Sequence, residues 1–145
     1  MTSSLYQRDF LLWTLDTVDK LKTHDFDQLD LENLIEEIES LGRSEKKELK
    51  SRLLILLEHL LKRLFLNSPN DYRSWEITID EQRRQIELEL EDSPSLKTIW
   101  EEAFSSAWRL ALKGVRKNYS QVTFPDVWPY PNDIDSILDC DFWKL

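Results

Sequence analysis

The sequence predicts an all-α protein, a single-domain helical bundle of about five main helices with an extended C-terminal arm and a short final helix. The 145 residues include only two glycines and five prolines, so few positions interrupt a helix. Leucines recur with helical spacing through the middle of the chain. The apolar fraction of 41%, with six Trp and six Phe, is enough for a packed core, and the length fits one domain over residues 1–145.

The central element is a predicted helix from Ser44 to Leu66, the 44–66 segment, whose leucines recur at i, i+3, i+4 and i+7. One face of this helix carries Leu49, Leu53, Leu57, Leu60 and Leu64. Ile55 and Leu66 point to nearly the opposite side. Because a helix with apolar residues on two faces is usually covered on both, the other helices are expected to pack around this one.

Two shorter helices are predicted before it, over about residues 4–22 and 30–41. Ser4 and Gln7 form a plausible capping box for the first helix, and Asp30 is a suitable N-cap for the second. The buried side of the first helix is expected to hold Leu5, Leu12, Leu15, Val18 and Leu21.

The junction between the second helix and the central helix contains Gly42. This residue is a natural C′ residue, and Ser44 is a natural N-cap, so a sharp turn is predicted from Leu41 to Ser44. The alternative is one long helix that is kinked at Gly42.

Two further helices are predicted after the central one. Residues 67–71 form a predicted loop with Pro69 as its helix breaker, and a fourth helix follows over about 73–92. One face of the fourth helix carries Trp75, Ile79, Ile86 and Leu90. Ser93 and Pro94 are typical of an N-cap followed by proline at the first helical position, which predicts a fifth helix over 94–117 with a wide apolar face.

The last segment, residues 118–145, differs in composition from the rest. Three prolines between positions 125 and 131 exclude a long helix there, so an extended arm is predicted. Asn132 is expected to cap a short helix that ends at Leu138. The arm is expected to pack on the bundle, rather than form an exposed binding patch, through Phe124, Trp128, Tyr130, Phe142 and Trp143.

Composition also limits the classes of partner. The net charge of −9 argues against nucleic acid, which requires a basic face, and against anionic membrane surfaces. No apolar run is long enough to span a membrane, and the expected location is the cytoplasm. Cys140 is the only cysteine, so an internal disulfide and a cysteine-based zinc cluster are excluded.

Several stretches, in order along the chain, resemble a bacterial family catalogued as domain of unknown function 29. The stretches are residues 30–46, 59–62, Ser74-Trp75, Thr78-Ile79, Gln82-Arg83, 92–96, Phe124-Pro125 and 141–143. The resemblance extends from about Leu5 to Trp143. It implies an all-helical fold, and it implies no activity and no catalytic or ligand residues, because none is established for the family.

The leading functional hypothesis is a non-enzymatic protein-interaction or regulatory module that binds a basic protein partner. It depends on an acidic stripe of the second helix, formed by Glu32, Glu36 and Glu39. The segment 27–41 holds six acidic residues and no Lys or Arg. The chain shows no nucleophile elbow, no phosphate-binding glycine loop and no Cys/His metal spacing, so no cofactor is expected and an enzyme is the less favoured alternative.

Two alternatives remain open at this level. A helical-bundle enzyme or ligand-binding protein can use a mononuclear metal site of Glu36, Glu39 and His59, although the Glu-x-x-His pattern of di-iron bundles is missing from this chain. A structural homo-oligomer held through the wide apolar face of the fifth helix is the other alternative. A solvated acidic face is the simpler interpretation of the carboxylates.

Four polar residues lie near apolar faces and are candidates for burial: Arg52, His59, Gln82 and Arg83. A buried Arg52 requires an acceptor, which Glu36, Glu37 or Glu39 can supply. The favoured interpretation is an internal ion pair that fixes helix register, and the alternative is a polar pocket for a small anion or metabolite.

Overall fold

The computed structural model describes residues 4–145 and confirms the all-α fold class, since no β-strand occurs in this range. Its α-helices are α1 (Leu5–Arg8), α2 (Phe10–Lys22), α3 (Leu31–Phe65), α4 (Pro69–Asp92), α5 (Trp100–Asn118) and α6 (Ile134–Asp139). Short 3-10 helices lie at Phe26–Gln28, Pro94–Ile99 and Phe142–Lys144. Contacts divide the chain into two compact units at Ser44/Glu45, here named the N-terminal unit (residues 4–44) and the C-terminal unit (residues 45–145). One domain over 1–145 stays a prediction.

The first predicted helix is divided in two at Asp9. The Asp9 backbone is extended, with φ −151° and ψ 90°, and its carboxylate accepts a hydrogen bond from the Leu12 amide at 3.0 Å. An aspartate side chain that bonds the amide three residues ahead starts a new helix instead of continuing the old one. One bond of the predicted capping box is present upstream, since Ser4 Oγ accepts from the Gln7 amide at 3.3 Å.

The predicted turn at Gly42 is wrong, because α3 runs without interruption from Leu31 to Phe65. No glycine in residues 4–145 has a positive φ, so Gly42 does not adopt the left-handed conformation of a C′ residue. Across Gly42, the Arg43 guanidinium forms salt bridges with Glu36 at 2.7 Å and Glu39 at 3.8 Å. A glycine costs only about 1 kcal/mol inside a helix, and such pairs together with the flanking helical segments offset that cost.

The core of the C-terminal unit is built on the predicted leucines of α3. The fully buried α3 side chains are Leu49, Leu53, Leu56, Leu57, Leu60 and Leu61. Leu64, predicted on the same face, is only partly buried. From α4 the core receives Ile79, Ile86 and Leu90, three of the four predicted residues, and Trp75 is partly buried.

The apolar face of α5 also belongs to this core. Its buried residues are Trp100, Ala103, Phe104, Ala107, Ala111, Leu112 and Val115. Because this face is covered within the C-terminal unit, it is not free to hold a second copy. The alternative of a homo-oligomer held through the fifth helix therefore gains no support from this face.

Three helix boundaries differ from their predictions. Pro69 is the first residue of α4 and does not lie in a loop as predicted. Proline is suited to this position, because the first residue of a helix needs no amide donor. Pro94 follows its Ser93 N-cap as predicted, but the first six residues are a 3-10 helix and α5 starts at Trp100. Asp133, not Asn132, caps the short helix, and its carboxylate accepts from the Ser136 amide at 3.1 Å.

The C-terminal arm packs on the bundle as predicted. Phe124, Trp128 and Phe142 are buried, and Tyr130 and Trp143 pack against the core. The Trp128 ring lies 5.2 Å from the Phe142 ring in an edge-to-face arrangement. These aromatic side chains therefore close the C-terminal unit and are not a free binding patch.

Candidate interaction surface and buried polar cluster

The N-terminal unit leaves most of its large apolar side chains in contact with solvent. Those between 40% and 69% exposed are Phe10, Leu11, Leu12, Leu15, Val18, Leu21, Phe26, Leu31, Ile35, Ile38 and Leu41. Four of the five side chains predicted to be buried in the first helix are in this set, so that prediction is wrong. On α2, only Trp13 and Thr17 are buried.

The exposed residues form two stripes with the same spacing. The α3 stripe consists of Leu31, Ile35 and Ile38, and the α2 stripe consists of Leu11, Leu15 and Val18. Residues at i, i+4 and i+7 lie along one side of a helix. The sequence pattern identified the apolar face of the first helix, but it did not show that this face remains uncovered.

Aromatic and polar groups supply the internal contacts of this unit. The Trp13 ring lies 4.8 Å from the Tyr6 ring and 5.7 Å from the Phe10 ring. The Tyr6 hydroxyl donates a hydrogen bond to the Glu37 carboxylate, and this bond raises the pKa of Tyr6. Asn33 and Glu37 are half-buried, whereas Ile35 is exposed. The beginning of α3 thus turns part of its polar side inward.

Acidic residues border the α3 stripe. Glu32 and Glu39 lie within about 60° of Ile35 around the helix axis, and Glu36 follows further round. All three carboxylates are exposed, as the interaction hypothesis requires, and Arg43 pairs with Glu36 and Glu39. Residues 4–44 contain ten Asp and Glu against four Lys and Arg, so this unit holds −6 of the net charge of −9.

The C-terminal unit contains a polar cluster centred on Arg52. Its guanidinium donates from Nε to Glu89 at 2.6 Å, from Nη2 to Glu48 at 2.9 Å and from Nη1 to Gln82 at 3.4 Å. That Arg52 needs acceptors was predicted correctly. The acceptors are Glu48 and Glu89, whereas the prediction named Glu36, Glu37 or Glu39. Two of the four predicted polar residues, Arg52 and Gln82, are thus in contact across α3 and α4.

Glu89 is the most constrained carboxylate of this cluster. Burial raises its pKa and the charge of Glu48 adds to the effect, while the hydrogen bond from Arg52 opposes it. One of its oxygens, Oε2, is buried without a hydrogen-bond partner. An open cavity of about 300 Å³ lies beside it, lined by Glu45, Glu48, Gln85, Leu88, Glu89, Asp92, Ser93 and Leu96. The arrangement fits an ion-pair network that holds α3 against α4, with its acidic side turned to solvent.

Arg83 is buried and anchors the C-terminal end of the chain. Its Nε donates to the Ile137 carbonyl at 2.9 Å, its Nη1 to Asp141 Oδ1 at 2.9 Å, and its Nη2 to the Cys140 carbonyl. The predicted internal ion pair is present here with Asp141 as partner. The two backbone acceptors were not predictable, because nothing in the sequence places α6 beside α4.

A family model described as a domain of unknown function, DUF29, matches residues 5–143. The chain belongs to the DUF29 family. Comparison with curated proteins and with solved structures gives no match. The family description adds no activity, so function has to be argued from the surfaces of this DUF29 chain.

The predicted metal site gains no support in the DUF29 chain. Glu36 and Glu39 belong to the N-terminal unit, and His59 belongs to the C-terminal unit. Within residues 4–145, no three His, Cys, Asp or Glu side chains are grouped so that they can hold a metal ion. His59 Nδ1 lies 2.8 Å from the Ile55 carbonyl, and burial lowers the pKa of His59.

None of the helices in the described part of the DUF29 chain is both long and apolar enough to cross a bilayer.

Proposed function

We propose that this DUF29 protein is a non-enzymatic interaction module whose N-terminal unit binds a basic protein partner. One observation carries the proposal: the unit combines two exposed apolar stripes with a net charge of −6. Contiguous apolar surface that is exposed and bordered by polar residues is typical of a protein-interaction site. The cytoplasm is the expected place of this interaction.

Glu32, Glu36 and Glu39 are proposed to attract and orient the partner. Exposed charges act over roughly 8–10 Å at physiological ionic strength, and they affect association rate and specificity more than affinity. Arg43 neutralises part of the charge of Glu36 and Glu39. Of the three carboxylates, Glu32 is therefore expected to contribute most to the attraction of the partner. The apolar stripes are expected to supply the larger share of the binding free energy.

The experiment is affinity capture of the tagged protein from its native host at moderate salt, followed by mass spectrometry. The test variant reverses three charges, Glu32→Lys, Glu36→Lys and Glu39→Lys. The matched control reverses three exposed acidic residues that share one side of α4 in the C-terminal unit, with the substitutions Asp80→Lys, Glu87→Lys and Glu91→Lys.

The proposal expects a basic partner that the wild type and the α4 control capture and that the α3 variant loses. Circular dichroism should show equal helicity in all three proteins. Equal capture by both variants would remove the acidic stripe from the proposal. Equal loss from both would mean that overall charge, not this surface, holds the partner.

A further inference from the structure

We infer that the partner presents an amphipathic helix, with apolar side chains along one face and Lys or Arg beside them, to the N-terminal unit. The inference rests on the proposed function and specifies the segment that is bound. It is carried by the spacing of the exposed side chains and by the charges at their border.

The spacing fits a helix as the occupant. Leu31, Ile35 and Ile38 span about 10 Å along α3, and Leu41 continues the exposed apolar surface by nearly one further turn. Side chains at i, i+4 and i+7 on one helix form ridges that interdigitate with the same spacing on a second helix. An amphipathic helix that lays its apolar face on such a surface is a common mode of peptide recognition.

The exposed α2 stripe repeats this arrangement. Leu11, Leu15 and Val18 have the same spacing as the α3 stripe, and eight residues, 23–30, separate the two helices in sequence. Neither stripe belongs to the hydrophobic core of the C-terminal unit. The N-terminal unit therefore carries two exposed apolar stripes, each with the spacing that suits a helix as occupant.

Charge decides between a foreign helix and a second copy of this chain. Two N-terminal units brought face to face would each contribute a net charge of −6, and like charges across an interface disfavour association. A bound helix with Lys or Arg beside its apolar face would place those charges near Glu32 and Glu39. In a coiled coil, the residues that flank the apolar seam form salt bridges between the helices in the same way. The bordering carboxylates therefore favour a basic occupant.

The test uses the full-length protein and a fluorescent synthetic peptide of about 18 residues, which makes about five helical turns. The probe has leucines at i, i+4, i+7 and i+11 and otherwise lysine and alanine. A control peptide has the same composition with the leucine positions permuted, so that no apolar face forms. Fluorescence anisotropy measures the Kd of each peptide.

We expect the amphipathic probe to bind with a Kd at least about tenfold below that of the permuted peptide, a difference of roughly 1.4 kcal/mol. The double variant Ile35→Gln, Ile38→Gln should raise the probe's Kd by about tenfold, because both apolar contacts are lost while glutamine keeps the helix. Ile77→Gln on α4 is the matched control, since Ile77 is exposed to a similar degree, 54% against 52% for Ile35.

A second variant tests the charges separately. Glu32→Gln combined with Glu39→Gln should raise the Kd of the probe and make it less sensitive to salt, since two attractive charges are removed without a change of shape. This variant keeps the exposed apolar stripes intact. It therefore separates electrostatic attraction from apolar contact.

Any one of the following outcomes would overturn the inference. The permuted peptide could bind as tightly as the probe, or Ile77→Gln could weaken binding as much as the α3 variant. A chain dimer that Ile35→Gln and Ile38→Gln dissociate in sedimentation velocity would identify a second copy as the occupant. If the probe does not bind but capture still depends on Glu32, Glu36 and Glu39, the helix inference fails and the proposed function stands. If that capture also fails, both fall.

Discussion

Arg83 on α4 donates a hydrogen bond to Asp141 Oδ1 over 2.9 Å, although 58 residues separate the two in sequence. The same guanidinium also donates to the carbonyl oxygens of Ile137 and Cys140. One buried side chain thus satisfies two backbone acceptors and one carboxylate near the end of the chain. Arg83 thus links α4 to α6 and to the residues that follow it.

Replacing Arg83 should loosen the C-terminal end. We expect Arg83→Ala to lower the free energy of unfolding by about 3 kcal/mol, because it leaves buried carbonyls and Asp141 without their donor. Arg83→Lys should recover only part of this loss, since an ammonium group cannot reproduce the fork of the guanidinium. Urea unfolding followed by tryptophan fluorescence measures the change, and hydrogen exchange should rise at residues 134–145.

The neighbouring Arg84 provides the control for that measurement. Its side chain is 65% exposed and pairs with Glu81 within the same helix, so Arg84→Ala should change stability by no more than about 0.5 kcal/mol. Equal losses for Arg83→Ala and Arg84→Ala would show that Arg83 does not anchor the arm.

Gly42→Ala should stabilise the protein by roughly 0.5–1 kcal/mol, the ordinary gain for alanine over glycine inside a helix. Gly42 lies within α3 without a positive φ, and a Cβ atom there would meet no atom within 4 Å apart from its chain neighbours and the nearby backbone of its own helix. Thermal unfolding followed by circular dichroism measures the gain. A lower melting temperature would contradict the continuous helix.

Gly114→Ala is the comparison for this prediction. A Cβ atom at position 114 would lie 3.0 Å from Glu58 Oε1, so the carboxylate has to move. The gain in helix propensity should therefore be smaller than at Gly42.

The spacing of the apolar residues predicted which side chains of the central helix face the core. The central leucines Leu49, Leu53, Leu57 and Leu60 are buried because their face is the most apolar part of the longest helix. Periodicity shows that a helix has an apolar face, but it does not show whether another element covers that face. For this reason the same reasoning failed at Leu15, which is 60% exposed.

Local signals were less reliable where two of them competed. Glycine and serine near position 42 favour a helix end, yet the salt bridges of Arg43 and the strong helix formers on both sides outweigh that preference. The need of Arg52 and Arg83 for acceptors followed from their positions beside apolar faces. The identity of their partners, Glu89 and Asp141, could not be derived from the sequence, because a contact between residues that are distant in sequence depends on tertiary packing.

His59 should make stability depend on pH below neutrality. Burial lowers the pKa of His59 beneath its ordinary value of about 6.5, so the unfolded chain binds the proton more tightly. The contribution is present above about pH 6.5 and is lost as the pH falls through the folded pKa. In urea titrations, the stability of the wild type minus that of His59→Gln should therefore rise as the pH increases from the folded pKa towards about 6.5. A flat difference would show that His59 is solvated in the folded protein.

Glu89 should make the stability of the protein change with pH in the opposite direction to His59, and at lower pH. Burial raises the pKa of Glu89 above its ordinary value of about 4.5, so the folded chain binds the proton more tightly than the unfolded chain. The contribution is fully present below about pH 4.5 and is lost as the pH rises through the folded pKa. The stability of the wild type minus that of Glu89→Gln should therefore fall as the pH rises from about 4.5 through the folded pKa.

Glu81→Gln is the control for this prediction. Hydrogen bonds from Arg84 and Gln85 lower the pKa of Glu81, so the stability of the wild type minus that of Glu81→Gln should change with pH in the opposite direction. Slopes of the same sign for the two variants would show that Arg52 outweighs burial at Glu89 and lowers its pKa.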